Sequence, residues 1–371
     1  MNTTFQITSF TSLHSGSEQL PPCDEKSLER YRALIAEQRV NWTEHHHFTQ
    51  LLGTGGQGVV YLSQRRGTDN FTLPVAMKIF SPEPYSTPQA YEDGMKRMAH
   101  VAARVAQIQQ DNLLDVHNFV ERGGIRIMEM EWVDGYDLSR LLSSDMLLAM
   151  KRNLDAPRWN YINNVIVTAG TTQARLKPGI AIAVLRECLA ALNALHRAKI
   201  VHGDVKPSNI MIKRTGNAKM IDIGSAFDLM EAPTRRACTP PYAAPEVLEG
   251  AVQNERSDLC SLGYVLVEML SGSPPFAGIK NYSELLEAKR SLPQRLHERL
   301  PREVTCNELL TNLIRGLIAA DPMRRFPTAE AADVMKEGAA GFQRQLVKGD
   351  LSSEYENEIR GWLRDLGDAK F

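Results

Sequence analysis

In the stretch HGDVKPSN, His202 to Asn209, a carboxylate, a cation and an amide fall within one short loop: Asp204, Lys206 and Asn209. So placed, they can orient a hydroxyl, neutralise a phosphoryl group and hold a metal ion. Asp222 follows in MIDIGSAF, after a short apolar strand and before Gly224, and magnesium takes hard carboxylate and amide oxygens as ligands. Upstream, GTGGQG sets Gly53, Gly55 and Gly58 between two β-type runs. The segment is expected to be a hairpin turn whose missing side chains let backbone N–H groups approach phosphate oxygens. Lys78, in VAMK, stands on the next β-type run, the place for a fixed cation against α- and β-phosphates. Singly, each feature has an ordinary reading as a turn residue, a plain Gly-rich hairpin or a solvated edge charge. Their ordered combination is what points to phosphoryl chemistry.

Such groups need elements to carry them. From Phe48 to Val133 short β-type runs dominate: FTQLLGTG, GVVYLSQRR, LPVAMKIF, LLDVHNFV and IRIMEMEWV. Among them one helical pattern places Met95, Met98, Val101, Val105 and Ile108 on one face. From Ile180 onward helical periodicity takes over, as in IAVLRECLAALNALHR and LLTNLIRGLIAA. The reading is an α+β chain: a β-rich lobe of five strands and one main helix over residues 44–131, a larger helical lobe over 134–340, and a cleft between them. Residues 1–43 read as a partly disordered N-terminal extension, with helix-forming composition from Glu25 to Arg39, and 341–371 as a C-terminal helical extension. Forty-three Lys plus Arg against 44 Asp plus Glu give a net charge of -1, which argues against a nucleic-acid or membrane-surface partner. Five scattered cysteines, without zinc or disulfide spacing, fit a reducing cytoplasm. The first residues lack the pattern of a signal peptide and no run approaches about 18 uninterrupted apolar residues, so a soluble chain is expected.

Taken in order, the Gly-rich loop, VAMK, HGDVKPSN, DIG, PPYAAPE, SDLCSLG and DPMRRFP resemble the eukaryotic-type (Hanks-type) protein kinase family over Phe48 to Ala340. The resemblance implies a bilobal fold, ATP as phosphoryl donor and Mg2+ as cofactor. It assigns Lys78 to the ATP phosphates, Asp204 to accepting the substrate hydroxyl proton, Lys206 to the γ-phosphate, and Asn209 and Asp222 to magnesium. It makes MEWV the hinge between the lobes, so that adenine would pair with backbone groups of Glu131 and Val133 beside Met130. Asp137 would then lie near the ribose, and Val60, Ala76 and Met211 would sandwich the purine. Lys206, two positions after Asp204, together with Thr239 ahead of PPYAAPE, resembles the serine/threonine-specific branch, which implies a protein Ser or Thr hydroxyl as acceptor. Ala244, Pro245 and Glu246 imply support for a peptide substrate, with Arg325 pairing Glu246 and Asp258 anchoring the catalytic loop. His202 is implied to be structural.

Two departures shape the expectations. The family's N-lobe helix usually offers a glutamate to the strand lysine; counting back from DNLL places Val101 there, and Glu92 and Asp93 lie earlier and would reach Lys78 only if the helix were shifted or extended, which leaves the partner of Lys78 unassigned. A pseudokinase scaffold, binding nucleotide or a protein partner without efficient transfer, is the rival reading. Gly203 stands where the family usually has the arginine that gathers a phosphorylated activation-loop residue, making this a non-RD loop. With Thr234 as the plausible switch in GSAFDLMEAPTRRACTPPYAAPE, activity is expected to be independent of its phosphorylation, unless Arg235 or Arg236 substitutes for the missing arginine. Control would then come from the N-terminal extension, or from a partner at the Val101 helix or at an insertion spanning about 143–178. That insertion carries Trp159, Tyr161, Ile162, Val165, Ile166 and Val167, expected to pack on the helical lobe rather than to wait for a partner. His45 to His47 read as a solvated turn rather than a metal site, and Cys188 and Cys260 as core residues.

Overall fold

The computed structural model describes residues 45–231, 238–348 and 355–367. The expected N-terminal extension with its helix at Glu25–Arg39, and Thr234, Arg235 and Arg236, lie outside the described residues. The first lobe is a sheet of β1 (His45–Gly55), β2 (Gly58–Arg66), β3 (Thr72–Phe80), β4 (Val116–Arg122) and β5 (Ile125–Glu131) in the order β1-β2-β3-β5-β4. Its pairs from β2 to β4 are antiparallel, with Val60 opposite Lys78 and Ala76 opposite Met130. One helix, α1 (Pro88–Val105), covers this sheet. Thr87 caps it by accepting from the Ala90 N–H at 3.0 Å, and Pro88 occupies the first turn, where its missing N–H costs nothing. Met95, Met98, Val101 and Val105 are buried as their spacing implies, joined by Tyr91 and Ala102. Ile108 falls beyond the end of the helix.

Two local expectations are corrected. The residues Leu113 to Asp115 do not extend β4, which begins at Val116; Leu113 bridges to Met220, and the Leu114 N–H donates to the Met220 carbonyl at 3.0 Å. Pairing with the second lobe therefore outcompetes the strand pattern. The histidines His45 to His47 lie in β1 rather than in a turn. There the His47 carbonyl accepts from Ser63 Oγ, and His46 Nε2 comes within 3.8 Å of buried Glu129. Register pairing overrides a polar composition that by itself favours solvent.

The second lobe is built on α4 (Pro178–Arg197) and α5 (Glu255–Ser271). Every residue from Ser257 to Ser271 is buried. Such an all-round buried helix forms because Asn254 and Ser257 make a reciprocal capping box at its start and Gly272, at φ 68°, closes its end. By length and composition α4 could cross a bilayer, but Ile180, Leu185, Leu189, Leu192 and Leu195 on it are core residues of this lobe. Cys188 and Cys260 are buried as expected, and burial pushes both thiols up.

The insertion folds as α2 (Ser144–Asn153), α3 (Ala156–Val165) and a hairpin of β7 (Val167–Ala169) and β8 (Ala174–Leu176), after the short strand β6 (Gly135–Asp137). Ile162, Ile166 and Val167 are fully buried, and Trp159 and Val165 pack against the same core. Tyr161 is exposed, with its hydroxyl bonded to Glu358 at 2.5 Å. The apolar face is thus packed within the chain. The C-terminal part supplies α8 (Ala339–Lys348) and α9 (Tyr355–Leu366). Ile359, Trp362, Leu363 and Leu366, spaced by three and four, bury one face of α9 against α4 and α2. Arg158 of the insertion pairs with Asp365 at 2.6 Å. The Gly367 carbonyl, one residue past α9, accepts from Tyr136 Oη on β6 and from Arg214, both at 2.8 Å.

Candidate active site

Five short strands and turns bring the sequence-predicted groups together. β9 (Ile200–Val201) pairs with β12 (Phe227–Asp228), and β10 (Ile210–Lys213) pairs with β11 (Ala218–Met220) on one side and β6 on the other. The loop from His202 to Asn209 is therefore fixed at both ends. Asp258, buried on α5, holds its middle: Oδ2 accepts from the His202 N–H at 2.9 Å and Oδ1 from the Gly203 N–H at 3.0 Å. His196 Nε2 lies 2.9 Å from the same Oδ2. His202 has no exposed surface and its ring lies against the Ile221 carbonyl at 3.3 Å, a structural position as expected. Gly203 adopts φ 78°, and a Cβ there would stand 2.8 Å from the Ser225 carbonyl oxygen. Glycine suits this left-handed turn without strain.

Asp204 is the centre of a tight set of donors. Its Oδ2 accepts from Lys206 Nζ at 2.6 Å and from Asn209 Nδ2 at 3.3 Å, and its Oδ1 from the Thr239 hydroxyl at 2.6 Å. Lys206 Nζ also donates to Thr239 Oγ1 at 3.2 Å, and Asn209 Nδ2 to the Asp204 carbonyl at 2.8 Å. The activation segment is thereby hydrogen-bonded to the loop. Its far end is fixed where Arg325 makes two 2.7 Å bonds to the two carboxylate oxygens of Glu246, a fork-to-fork form of the pair that the resemblance implied.

Lys78, on β3, is 5% exposed and donates to Asp222 Oδ1 at 2.5 Å and to Gln57 Oε1 at 2.9 Å. Burial alone would raise the Asp222 carboxyl, but the Lys78 ammonium and the Gly224 N–H hold it below its ordinary value. Asp222 sits at φ 63°, a left-handed turn that its own bond from the Gly224 N–H at 3.0 Å supports. Among the described residues no acidic side chain of α1 meets Lys78: Glu92 pairs with Lys96 and Asp93 accepts from Gln89. Val101 is buried in the helix core. Instead α1 is tied to the second lobe at its other end, where Arg104 bonds Asp228 and the Ala198 carbonyl.

The Gly-rich loop is the β1–β2 hairpin turn that the sequence implied. At Gly53 and Gly55 a Cβ would meet nothing, whereas at Gly58, φ 136°, it would stand 2.0 Å from the Ile79 carbonyl oxygen. Gln57 was not singled out from sequence. Besides receiving Lys78, it donates to the Gly224 carbonyl at 3.1 Å and reaches Ser225 Oγ at 3.4 Å. Its amide links the loop to the far wall of the cleft; the available signal was a long polar side chain at the tip of a glycine hairpin. Ala76 belongs to the core cluster, and Val60 and Met211 pack on it. Val133 is buried, and among the described residues no protein group hydrogen-bonds to its backbone. The Glu131 side chain pairs with Lys219, and its backbone N–H donates to the Asp115 carbonyl at 3.0 Å. Asp137 caps the short helix Leu138–Leu141, accepting from the Arg140 N–H at 3.0 Å, and burial raises its carboxyl.

The donor set fits magnesium. The Asn209 amide nitrogen is engaged by Asp204, and among the described residues no hydrogen-bond donor meets its amide oxygen. Asp222 uses Oδ1 toward Lys78 and Gly224, and among the described residues no donor meets its Oδ2. Two hard oxygens, one from just before β10 and one from just past its paired strand β11, completed by phosphates and water, form the kind of shell that magnesium accepts.

The protein kinase domain family matches residues 46–336. Among curated proteins, the chain is 29% identical over 235 residues to the serine/threonine-protein kinase PknH of Mycobacterium bovis, covering 62% of this chain and 34% of that protein. It is 26% identical over 292 residues to the serine/threonine-protein kinase PrkC of Bacillus subtilis, covering 77% of this chain and 39% of that one. It is 30% identical over 235 residues to the serine/threonine-protein kinase PknD of Mycobacterium tuberculosis, covering 62% and 30%. The chain thus spans about a third of the length of the curated relatives it matches.

Proposed function

The chain belongs to the protein kinase domain family, and we propose that it transfers the γ-phosphoryl group of ATP to a serine or threonine hydroxyl of a protein. The observation that carries this reading is the Asp204 carboxylate, oriented by Lys206, Asn209 and Thr239, in a second lobe whose Asp222 receives Lys78 from the first. In the reaction the acceptor oxygen bonds to the γ-phosphorus while the bond from that phosphorus to the β–γ bridging oxygen breaks. ADP leaves with the electron pair, and the hydroxyl proton passes to Asp204. Lys78 would steady the α- and β-phosphates and Lys206 the transferring group, so most of the catalysis is positioning and charge neutralisation. Asn209 and Asp222 would hold magnesium, which when bound neutralises phosphate charge.

Independence from activation-loop phosphorylation is part of the proposal. Gly203 has no side chain to gather a phosphate, while Thr239 and Glu246 already fasten the segment without one. The protein would act in a reducing, cytoplasmic setting, as its free buried cysteines suggest.

The deciding experiment is transfer from radiolabelled ATP to a protein substrate, with Asp204→Asn beside the wild type and Thr234→Ala on dephosphorylated protein. Loss of transfer in Asp204→Asn with retention in Thr234→Ala is expected. Nucleotide binding without magnesium-dependent transfer by the wild type favours the pseudokinase scaffold, a reading supported by the lack of an α1 carboxylate partner for Lys78.

A further inference from the structure

Beneath the segment from Thr239 to Glu246 lies a lysine that the mechanism does not use. Lys289, on α6 (Tyr282–Ser291), has no exposed surface. Its Nζ donates to the Pro241 carbonyl at 2.6 Å and stands 4.1 Å from the Tyr264 ring centroid and 4.2 Å from that of Phe276. The two rings meet edge to face, their centroids 5.0 Å apart, and so wall the ammonium on two sides. Among the described residues no carboxylate pairs with it. Lysine is almost never fully buried without a charged partner, and an apolar side chain would fill this space without a desolvation cost. What distinguishes the lysine is the bond made by its head group.

That bond falls at a particular point in the chain. Two residues before Pro241, Thr239 is bonded to Asp204, and five residues after it, Glu246 is held by Arg325. Between these ends the Tyr242 and Ala243 N–H groups fold back onto the Thr239 carbonyl at 2.9 and 3.0 Å. The Pro241 carbonyl thus tethers the middle of a span whose ends are fixed by other means. In the kinase reading, on which this inference rests, an acceptor peptide lies against this span. We propose that Lys289 is a positioning residue for the acceptor peptide, whose aromatic-caged amine fixes the docking segment from below by donating to the Pro241 carbonyl. It touches neither ATP nor the reacting hydroxyl. Its removal should let the middle of the span drift while leaving the catalytic loop and the nucleotide cleft intact.

The test uses the full chain with Lys289→Met, which keeps length and apolar volume, and Lys289→Gln, which keeps a donor for the carbonyl. Steady-state kinetics with a peptide acceptor are expected to show a peptide KM raised about tenfold in Lys289→Met, on the scale of one hydrogen bond. The ATP KM and kcat should stay within about twofold, and Lys289→Gln should recover part of the peptide KM. Hydrogen exchange read on the same proteins needs no catalysis: the Tyr242 and Ala243 amides should exchange faster in Lys289→Met, with the α5 amides unchanged. Unaltered exchange at Tyr242 and Ala243 refutes the tether. Faster exchange with an unchanged peptide KM, or with ATP KM rising in parallel, refutes the positioning role. A wild type without transfer counts against the kinase reading itself, and exchange still decides the tether.

Discussion

Replacing Asp258 by asparagine changes one atom in a side chain that contacts no reactant, and should still cost both stability and rate. Three donors converge on this carboxylate: the His202 and Gly203 N–H groups and His196 Nε2, at 2.9, 3.0 and 2.9 Å. An amide has one acceptor oxygen. If that oxygen keeps His202 and His196, the amide nitrogen faces the Gly203 N–H, which is then buried without an acceptor at a cost of about 1–3 kcal/mol. The two remaining bonds fall from charge-assisted to neutral, losing about 1 kcal/mol each. The total is about 3–5 kcal/mol, or roughly a 10 °C fall in melting temperature for a domain of this size. Gly203 precedes Asp204, so relief of the clash moves the catalytic carboxylate. A displacement of the order of 1 Å costs about a hundredfold in rate. Calorimetry and single-turnover phosphotransfer measure the two effects, with the ATP affinity expected to hold because Lys78 and the hinge are untouched. A variant with wild-type melting and wild-type turnover would refute the view that α5 sets the loop.

Removing the Asp222 carboxylate by Asp222→Ala leaves Lys78 buried with Gln57 alone and should abolish magnesium-dependent transfer by orders of magnitude; unchanged turnover in the assay excludes the metal role. Trp362→Ala empties a site that is 1% exposed at the centre of the α9 contact and should cost about 3–5 kcal/mol in urea unfolding; a loss under about 1 kcal/mol means that α9 is not integral to the lobe. The pH dependence of stability should carry the mark of Lys289, whose amine burial pulls down to about 7, against Cys260 and Cys238, the ionisable neighbours that act the other way. The unfolded chain then holds one more proton between pH 7 and the ordinary lysine range. Stability therefore rises with pH across that window, by about 2 kcal/mol from pH 7 to 9, and is lowest below pH 7. Lys289→Met should lose this slope in unfolding curves recorded from pH 6 to 9, and an unchanged slope refutes the assignment.

What the sequence disclosed and what it hid divide along a physical line. Lys78, Asp204, Asn209 and Asp222 were legible because their chemistry is carried by short motifs whose turns are local. The five-stranded sheet and the α1 face were legible because periods of two and 3.6 residues register burial directly. The anchors Asp258 and Arg325 were legible only through resemblance, and the structure puts both where that resemblance implied. Gln57, Lys289 and the Arg104 tether were not legible, since each acts through a backbone carbonyl or a side chain far away in sequence. The packing of the insertion was read correctly from its apolar content, but its partner α9 was not, because the Arg158–Asp365 and Tyr161–Glu358 contacts span about two hundred residues. The histidines of β1 show the opposite error, in which composition was weighed and strand pairing could not be.

The junction of the insertion with α9 has a consequence for how the protein is made. A ribosome delivers the chain from its N-terminal side, at about 5–20 residues per second. Every group that the site uses, from Gln57 to Arg325, has therefore emerged before Tyr355. Until α9 arrives, the apolar ground that it covers on α4 and α2 lies open, Arg158 and Tyr161 lack Asp365 and Glu358, and Tyr136 and Arg214 lack the Gly367 carbonyl. The nascent chain thus passes through a stage with the residues of its candidate site synthesised and its helical lobe unsealed. During that interval a chaperone has an exposed surface to hold, and a transcript cut short before Tyr355 yields a chain that stays in that state.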